Sequence, residues 1–173
     1  PDEMTKWKTW LAADPGRRLR IVTNSIYSAD NVAAQALTDR ELGPAFRKNF
    51  AEFGERAQLL TYGRLDANDL GGDRQYGKVH AKFAVIDGSK SLVTSSNGDP
   101  RSRYLNSELG YVFLGPEMGQ QLEKAVEDLA AGSYEWGSPQ WEALRKHRKL
   151  RWKMRLQKIA YPVIRLFNLR GLI

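Results

Sequence analysis

The chain has no cysteine among its 173 residues, which excludes a disulfide scaffold, a thiolate zinc site and a cysteine nucleophile. Histidine is nearly as scarce, with only His80 and His147. No apolar run approaches the roughly 20 residues that cross a bilayer as a helix. No acidic residue follows Glu142. The first residue is Pro1, with no initiator methionine and no charged-then-apolar leader. On that basis we read the sequence as the C-terminal part of a longer protein.

What is present is enough for a folded domain. Hydrophobic residues make up 42% of the chain and aromatics 10%, too many for a disordered segment. The length fits one domain of ordinary size. Ten of the 27 Lys and Arg lie from Arg145 onward, while the other 17 are outnumbered by 20 acidic residues. A near-neutral body with one cationic tail points to a localised anionic partner. We therefore divide the chain into a body, 1–135, and a basic tail, 136–173.

Along the body, Gly16 to Ser25 alternates like a strand that ends in a polar loop. Phe46, Phe50 and Phe53 share one helical face that Gly54 ends, and three core aromatics are the expectation there. Ala57 to Tyr62 reads as a second strand. Leu65 to Gly77 is a polar, glycine-containing loop of the kind that lines a site. Val79 to Ile86 and Ser91 to Ser96 read as strands joined by the turn Asp87-Gly88-Ser89-Lys90, and Leu109 to Leu114 as another. Pro116 opens a helix with Met118, Leu122, Ala125, Val126 and Leu129 on its apolar side, closed by Gly132. Strands interleaved with helices predict an α/β layered domain.

Chemistry concentrates between Lys78 and Gly110. His80 and Lys82 are two apart on an expected strand, so both side chains face one way and Val79, Ala81, Phe83 and Val85 face the core. Ser95 and Asn97 repeat that spacing on the next strand. An imidazole, an ammonium, a hydroxyl and an amide meeting at one point would suit a phosphate-sized anion. A lone strand histidine is ordinarily structural, and Asp87 and Ser95 alone could be turn and strand-end residues. An unpaired lysine in an apolar strand is harder to dismiss, because burying an ammonium is costly.

His80-x-Lys82-x4-Asp87 followed by x6-Thr94-Ser95-x-Asn97 resembles the HKD motif of the phospholipase D superfamily, with Thr94 where glycine is usual. Asn97-Gly98-Asp99-Pro100-Arg101-Ser102 and Leu105-Asn106-Ser107-Glu108-Leu109 resemble its cardiolipin synthase branch, with Gly98 for phenylalanine and Ser107 for threonine. Val22-Thr23-Asn24-Ser25 is similar to the strand end that opens the second half of such enzymes. The resemblance covers about residues 16 to 130.

It implies a layered phospholipase D-type fold, a mixed β-sheet flanked by helices. It also implies transfer or hydrolysis of phosphodiesters through a covalent phosphohistidine, with no metal and no cofactor. His80 would be the catalytic histidine, acting as general acid/base more readily than as nucleophile. Lys82, Ser95 and Asn97 would bind the phosphate, and Glu108 would orient the imidazole. Asp87, Asp99 and Arg101 would be structural or supporting.

Family members use two such motifs, and His147 lies in the tail with no motif around it. The resemblance thus implies a partner motif, placed upstream in a longer chain or supplied by a second copy, without which this chain is expected to be inactive. The reading is a bacterial phosphatidyltransferase of cardiolipin synthase type, peripheral on the inner membrane, acting on phospholipids. A dimeric metal-independent endonuclease and a non-catalytic membrane scaffold are the rivals.

In the tail, Ser138 is the expected N-cap and Pro139 the first helical residue. Trp141, Leu144, Trp152, Leu156 and Ile159 fall on one helical stripe, and Pro162 is expected to interrupt or kink the helix. Tryptophan and aliphatics beside many cations predict that residues 141–173 lie on an anionic membrane surface. A helix merely docked on the body, with solvated charges, is the bland alternative, and nucleic acid is the less favoured partner.

Overall fold

The computed structural model describes residues 3–29, 31–64, 79–97, 102 and 105–167. The helices are α1 (Glu3–Ala12), α2 (Val32–Leu37), α3 (Gly43–Phe50), α4 (Pro116–Ala131), α5 (Pro139–Lys146) and α6 (Arg151–Leu166). The strands are β1 (Leu19–Asn24), β2 (Ala57–Tyr62), β3 (Phe83–Ile86), β4 (Lys90–Thr94), β5 (Gly110–Leu114) and β6 (Ser133–Glu135). They form two three-stranded sheets. In the first, β2 lies between β1, to which it is parallel, and β6, to which it is antiparallel. In the second, β3, β4 and β5 form an antiparallel meander. Helix α4 packs against both. The fold is α/β, as expected.

The three phenylalanines behave as their spacing predicts. Phe46 and Phe50 are buried with ring centroids 4.6 Å apart, and Phe53 follows 6.2 Å from Phe50. They form a core with Leu11, Ala57 and Leu59. Gly54 turns the chain at φ 54°, a left-handed conformation that glycine adopts without steric penalty. Helix α1, the helical segment at 32–42 and strand β6 were not anticipated. Between α2 and α3 the chain widens into π-helical turns over Thr38–Leu42.

The β3–β4 connection is a tight turn with Asp87 at φ 49° and Gly88 at φ 58°. Both left-handed conformations suit the right-handed twist of a hairpin. Helix α4 crosses this turn so closely that a Cβ on Gly119 would sit 2.0 Å from the Gly88 carbonyl oxygen. The turn is therefore clamped, and the hairpin that carries His80 and Lys82 at its far end is held against α4.

The tail packs differently from a single stripe. Ser138 caps α5, its Oγ accepting the Trp141 N–H at 3.2 Å. Helix α5 ends at His147, whose ψ of 139° is extended. Trp141, Leu144 and Leu150 are buried, with Leu144 and Leu150 against Ile26. Trp152, Leu156 and Ile159 are exposed. Burial of Leu150 requires the break, since one continuous helix would swing it off that core. Helix α6 then runs through Pro162, which sits on its exposed side rather than ending it.

Candidate functional site

The site is built where the two sheets meet. Strand β1 ends at Asn24, whose side chain substitutes for a missing strand. Its Nδ2 donates to the Val79 carbonyl at 2.9 Å, and its Oδ1 accepts the Val79 N–H at 2.9 Å. The carboxamide thereby makes both bonds that a neighbouring backbone would make in a ladder. The amide's orientation is fixed by Val79 itself, because only the oxygen can accept its N–H; Ser28 Oγ lies 3.1 Å from that oxygen and 2.8 Å from the Tyr62 carbonyl. This clamp holds the residue immediately before His80.

The described strand starts at Phe83, later than the Val79 start expected, because only Lys82 O is bonded onward, to Thr94 N at 2.8 Å. The chain nevertheless leaves His80 and Lys82 on one side, with Nε2 and Nζ 3.1 Å apart. An ammonium has no lone pair, so in this contact Lys82 is the donor and Nε2 the acceptor. His80 is exposed and Lys82 half-buried. Phe83 and Val85 turn inward as expected; Ala81 is exposed.

Strand β4 ends at Thr94, so Ser95 and Asn97 lie just past it rather than along it. Thr94 donates to the Leu109 carbonyl at 3.1 Å and accepts the Ser96 N–H at 3.1 Å, tying the ends of β4 and β5 together. A threonine in place of glycine thus contributes two bonds, with space across the ladder supplied by Gly110. Ser95 Oγ donates to the Glu108 carboxylate and accepts the Leu109 N–H at 3.0 Å. The Asn97 N–H is held by the buried Ser102 hydroxyl at 3.1 Å, and the residue is exposed.

Glu108 is the hub of this network. It accepts from Ser95, from Ser102 and from Asn106 Nδ2, the last at 3.3 Å. The bond from Ser95 first, then that from Ser102, hold its carboxyl below the usual carboxylate range, with Asn106 and the nearby Lys82 ammonium adding to them. Among the described residues, its hydrogen bonds go to these groups, and the imidazole's polar contact is with Lys82. Glu108 remains an anion and balances the lysine's charge beside the imidazole.

Asp87 occupies the turn at the opposite end of the hairpin, 5 residues after Lys82 in sequence and exposed. Asp99 and Arg101 lie outside the described residues, as does the loop 65–78. His147 caps a tail turn, its Nδ1 accepting the Lys149 N–H at 3.3 Å. The hairpin also leaves an apolar face open. Ala84 and Leu92 pair across β3 and β4, Leu92 and Val112 across β4 and β5, with Ile86 and Leu114 one step along. All five are exposed, Val112 by 69% and Leu114 by 79%. Lys82 shares this face by its i, i+2 relation to Ala84.

Asn24 was the site residue that sequence reasoning placed only as a strand end. Its signal was an amide at the end of a strand, beside serines, which alone does not specify a partner 55 residues away.

Comparison with known proteins adds four findings. Residues 8–130 match the family model described as "Cardiolipin synthase, PLD-like domain". Cardiolipin synthase C of Escherichia coli strain K12 is 30% identical over 113 residues, which is 63% of this chain and 23% of that protein. An uncharacterised protein of Helicobacter pylori strain 26695 is 26% identical over 119 residues, 69% of this chain and again 23% of the relative. The alignments thus span less than a quarter of either protein. Among solved structures, the phosphatidylserine synthase of Haemophilus influenzae Rd KW20 shares the fold, with a TM-score of 0.57 at 17% identity, over 91% of this chain and 38% of that one.

Proposed function

Because the chain belongs to the cardiolipin synthase family of phospholipase D-like domains, we propose that it acts on phospholipid phosphodiesters as a phosphatidyltransferase of that type, peripheral on the bacterial inner membrane. One observation carries the reading: His80 Nε2 and Lys82 Nζ share one side at 3.1 Å, beside the Ser95–Glu108–Ser102 network. A diester phosphate entering there meets the Lys82 ammonium, with the Asn97 amide at the neighbouring strand end, while the Ser95 hydroxyl, its proton given to Glu108, supports the site through that carboxylate. Fixed donors of this kind stabilise the charge that develops on non-bridging oxygens during transfer.

The reaction needs two imidazoles. One attacks phosphorus through Nε2, forming an N–P bond as the P–O bond to the leaving alcohol breaks. The other gives that alkoxide its proton. The second imidazole then takes the proton of the acceptor hydroxyl, whose oxygen attacks phosphorus and releases the first ring. Water as acceptor gives hydrolysis instead. His80 is assigned the acid/base role, which an imidazole can fill in either protonation state near neutral pH.

A second motif must supply the other ring, since His147 is engaged in a tail turn. The open apolar face of β3, β4 and β5, which includes Lys82, supports a partner packed against the hairpin. That partner is the second HKD half, from a longer chain or from another copy.

The test is lipid analysis of cells expressing the intact protein. A new phosphatidyl-transfer product is expected, falling by about three orders of magnitude or more with His80→Ala. Phosphatidic acid in place of a transfer product would identify a hydrolase. Unchanged lipids in both would reject the reading.

A further inference from the structure

Helix α6 has three sides. Gln157 and Ile164 are buried and Met154 packs on the Ile26–Leu144–Leu150 core. That side is fastened by unusual bonds: Lys153 Nζ donates to the carbonyls of Ile26, Tyr27 and Ala29 at 3.0, 3.1 and 2.6 Å. Gln157 Nε2 donates to Asp39 at 2.9 Å. The helix is thus docked on the body, and the docking uses only one of its sides.

At 100° per residue, Trp152, Leu156, Ile159, Val163 and Leu166 fall on a second side, centred about 130° round the helix from the docked one. All are exposed, Ile159 by 66% and Leu166 by 78%. Arg151, Arg155, Lys158 and Arg165 fill the arc between the two sides and are exposed too. Sequence alone merges these sides; the packing of Gln157 and Ile164 separates them. An apolar strip flanked along one edge by cations, in a tail without an acid after Glu142, is complementary to an anionic lipid surface. The strip enters the acyl boundary, the Arg and Lys stems extend to the headgroups, and the indole suits the level between them.

We propose that the outer side of α6 rests in the plane of an anionic phospholipid bilayer while its inner side stays docked on the body. Because α6 is docked side-on, from Lys153 to Ile164, this contact is parallel to the surface. The docked loop, Ile26 to Ala29, follows Asn24 directly, so the helix is hung from the same turn that clamps Val79 beside His80. The contact is independent of the catalytic reading.

The absence of cysteine allows a single Ile159→Cys to carry an environment-sensitive fluorophore in the intact protein, with Gln121→Cys on α4 as the control. Phosphatidylglycerol-containing vesicles are expected to blue-shift the probe at 159 and not at 121, and pure phosphatidylcholine vesicles to leave both unchanged. Ile159→Ser with Val163→Ser should weaken binding to anionic vesicles about tenfold or more, and Arg155→Glu with Lys158→Glu at least about fivefold per charge. His80→Ala should bind like the wild type, so failed lipid turnover and failed binding are told apart. No shift at 159, or an equal shift with neutral vesicles, would overturn the proposal. So would a vesicle-independent, concentration-dependent shift, which would put a second copy on this side. Retention on duplex DNA without vesicle binding would assign the basic arc to nucleic acid and overturn it as well.

Discussion

At the residue scale, Asn24 shows how one side chain can set the position of another that it never touches. Its two bonds to Val79 satisfy a half-buried N–H and C=O at once. Asn24→Ala leaves both without that partner, at a cost of about 1–3 kcal/mol in stability. It also frees the segment preceding His80. A misplacement of about 1 Å in a reacting group can cost on the order of a hundredfold in rate. The expected result is a fall in kcat of that order with KM little changed. Asn24→Asp keeps the acceptor and loses the donor, so it should recover part of the loss. Equal kcat in wild type and Asn24→Ala would show that the clamp does not position the site. This residue was the hardest to read in advance: a strand-end asparagine followed by serine looks like any loop entry, and its partner is fixed only by how two sheets abut. His80, Lys82, Ser95, Asn97 and Glu108, by contrast, lie within 29 positions at the ends of β3, β4 and β5, so spacing alone could single them out. What spacing could not show was that Glu108 bonds to Ser95 and Ser102 while the imidazole meets Lys82.

At the scale of elements, the contact between the π-helical turn and α6 is governed by Asp39. Burial pushes its carboxyl up from the ordinary value, against the opposing pulls of Gln157, Arg145, Gln35 and Arg40. With the folded value raised, stability is full below the unfolded value and is lost as pH rises through the folded one. Asp39→Asn removes that titration. The asparagine keeps a carbonyl oxygen for one of the two amide donors, Gln35 or Gln157, that the carboxylate accepts from at 3.0 and 2.9 Å. The variant should therefore melt higher than the wild type at pH 7, with the difference shrinking as the solution is acidified towards pH 4. A difference that grows on acidification would reverse the assignment. Strands β1, β2 and β5, helix α4 and the Ser138 cap were legible, each carrying a local period or a cap. The segment 32–42 was not, since Val32-Ala33-Ala34-Gln35-Ala36-Leu37 has small residues and no apolar period. The break at His147 was hidden for the opposite reason: Arg145 to Arg151 is rich in good helix formers, and burial of Leu150 overrides them.

At the scale of the whole molecule, two sheets and a docked tail converge on the turn from Asn24 to Ala29. Lys153 holds its carbonyls, Ser25 and Ser28 hold its interior, and Asn24 holds Val79. The alternation of strand and helix patterns along the chain foretold an α/β body. It did not foretell that the tail would be fixed to the body by hydrogen bonds to backbone, because such bonds leave no mark on residue type beyond a lysine among many.

The joint between the sheets has a consequence for ageing and heat. A ladder with many rungs survives losing one, but the described rungs between β1 and the His80 segment number two and hang from a single carboxamide, with α4 packed across both sheets. Warming should slip this seam before either sheet unravels. Catalysis would then fade at temperatures where circular dichroism still reports an unmelted protein, and return on cooling.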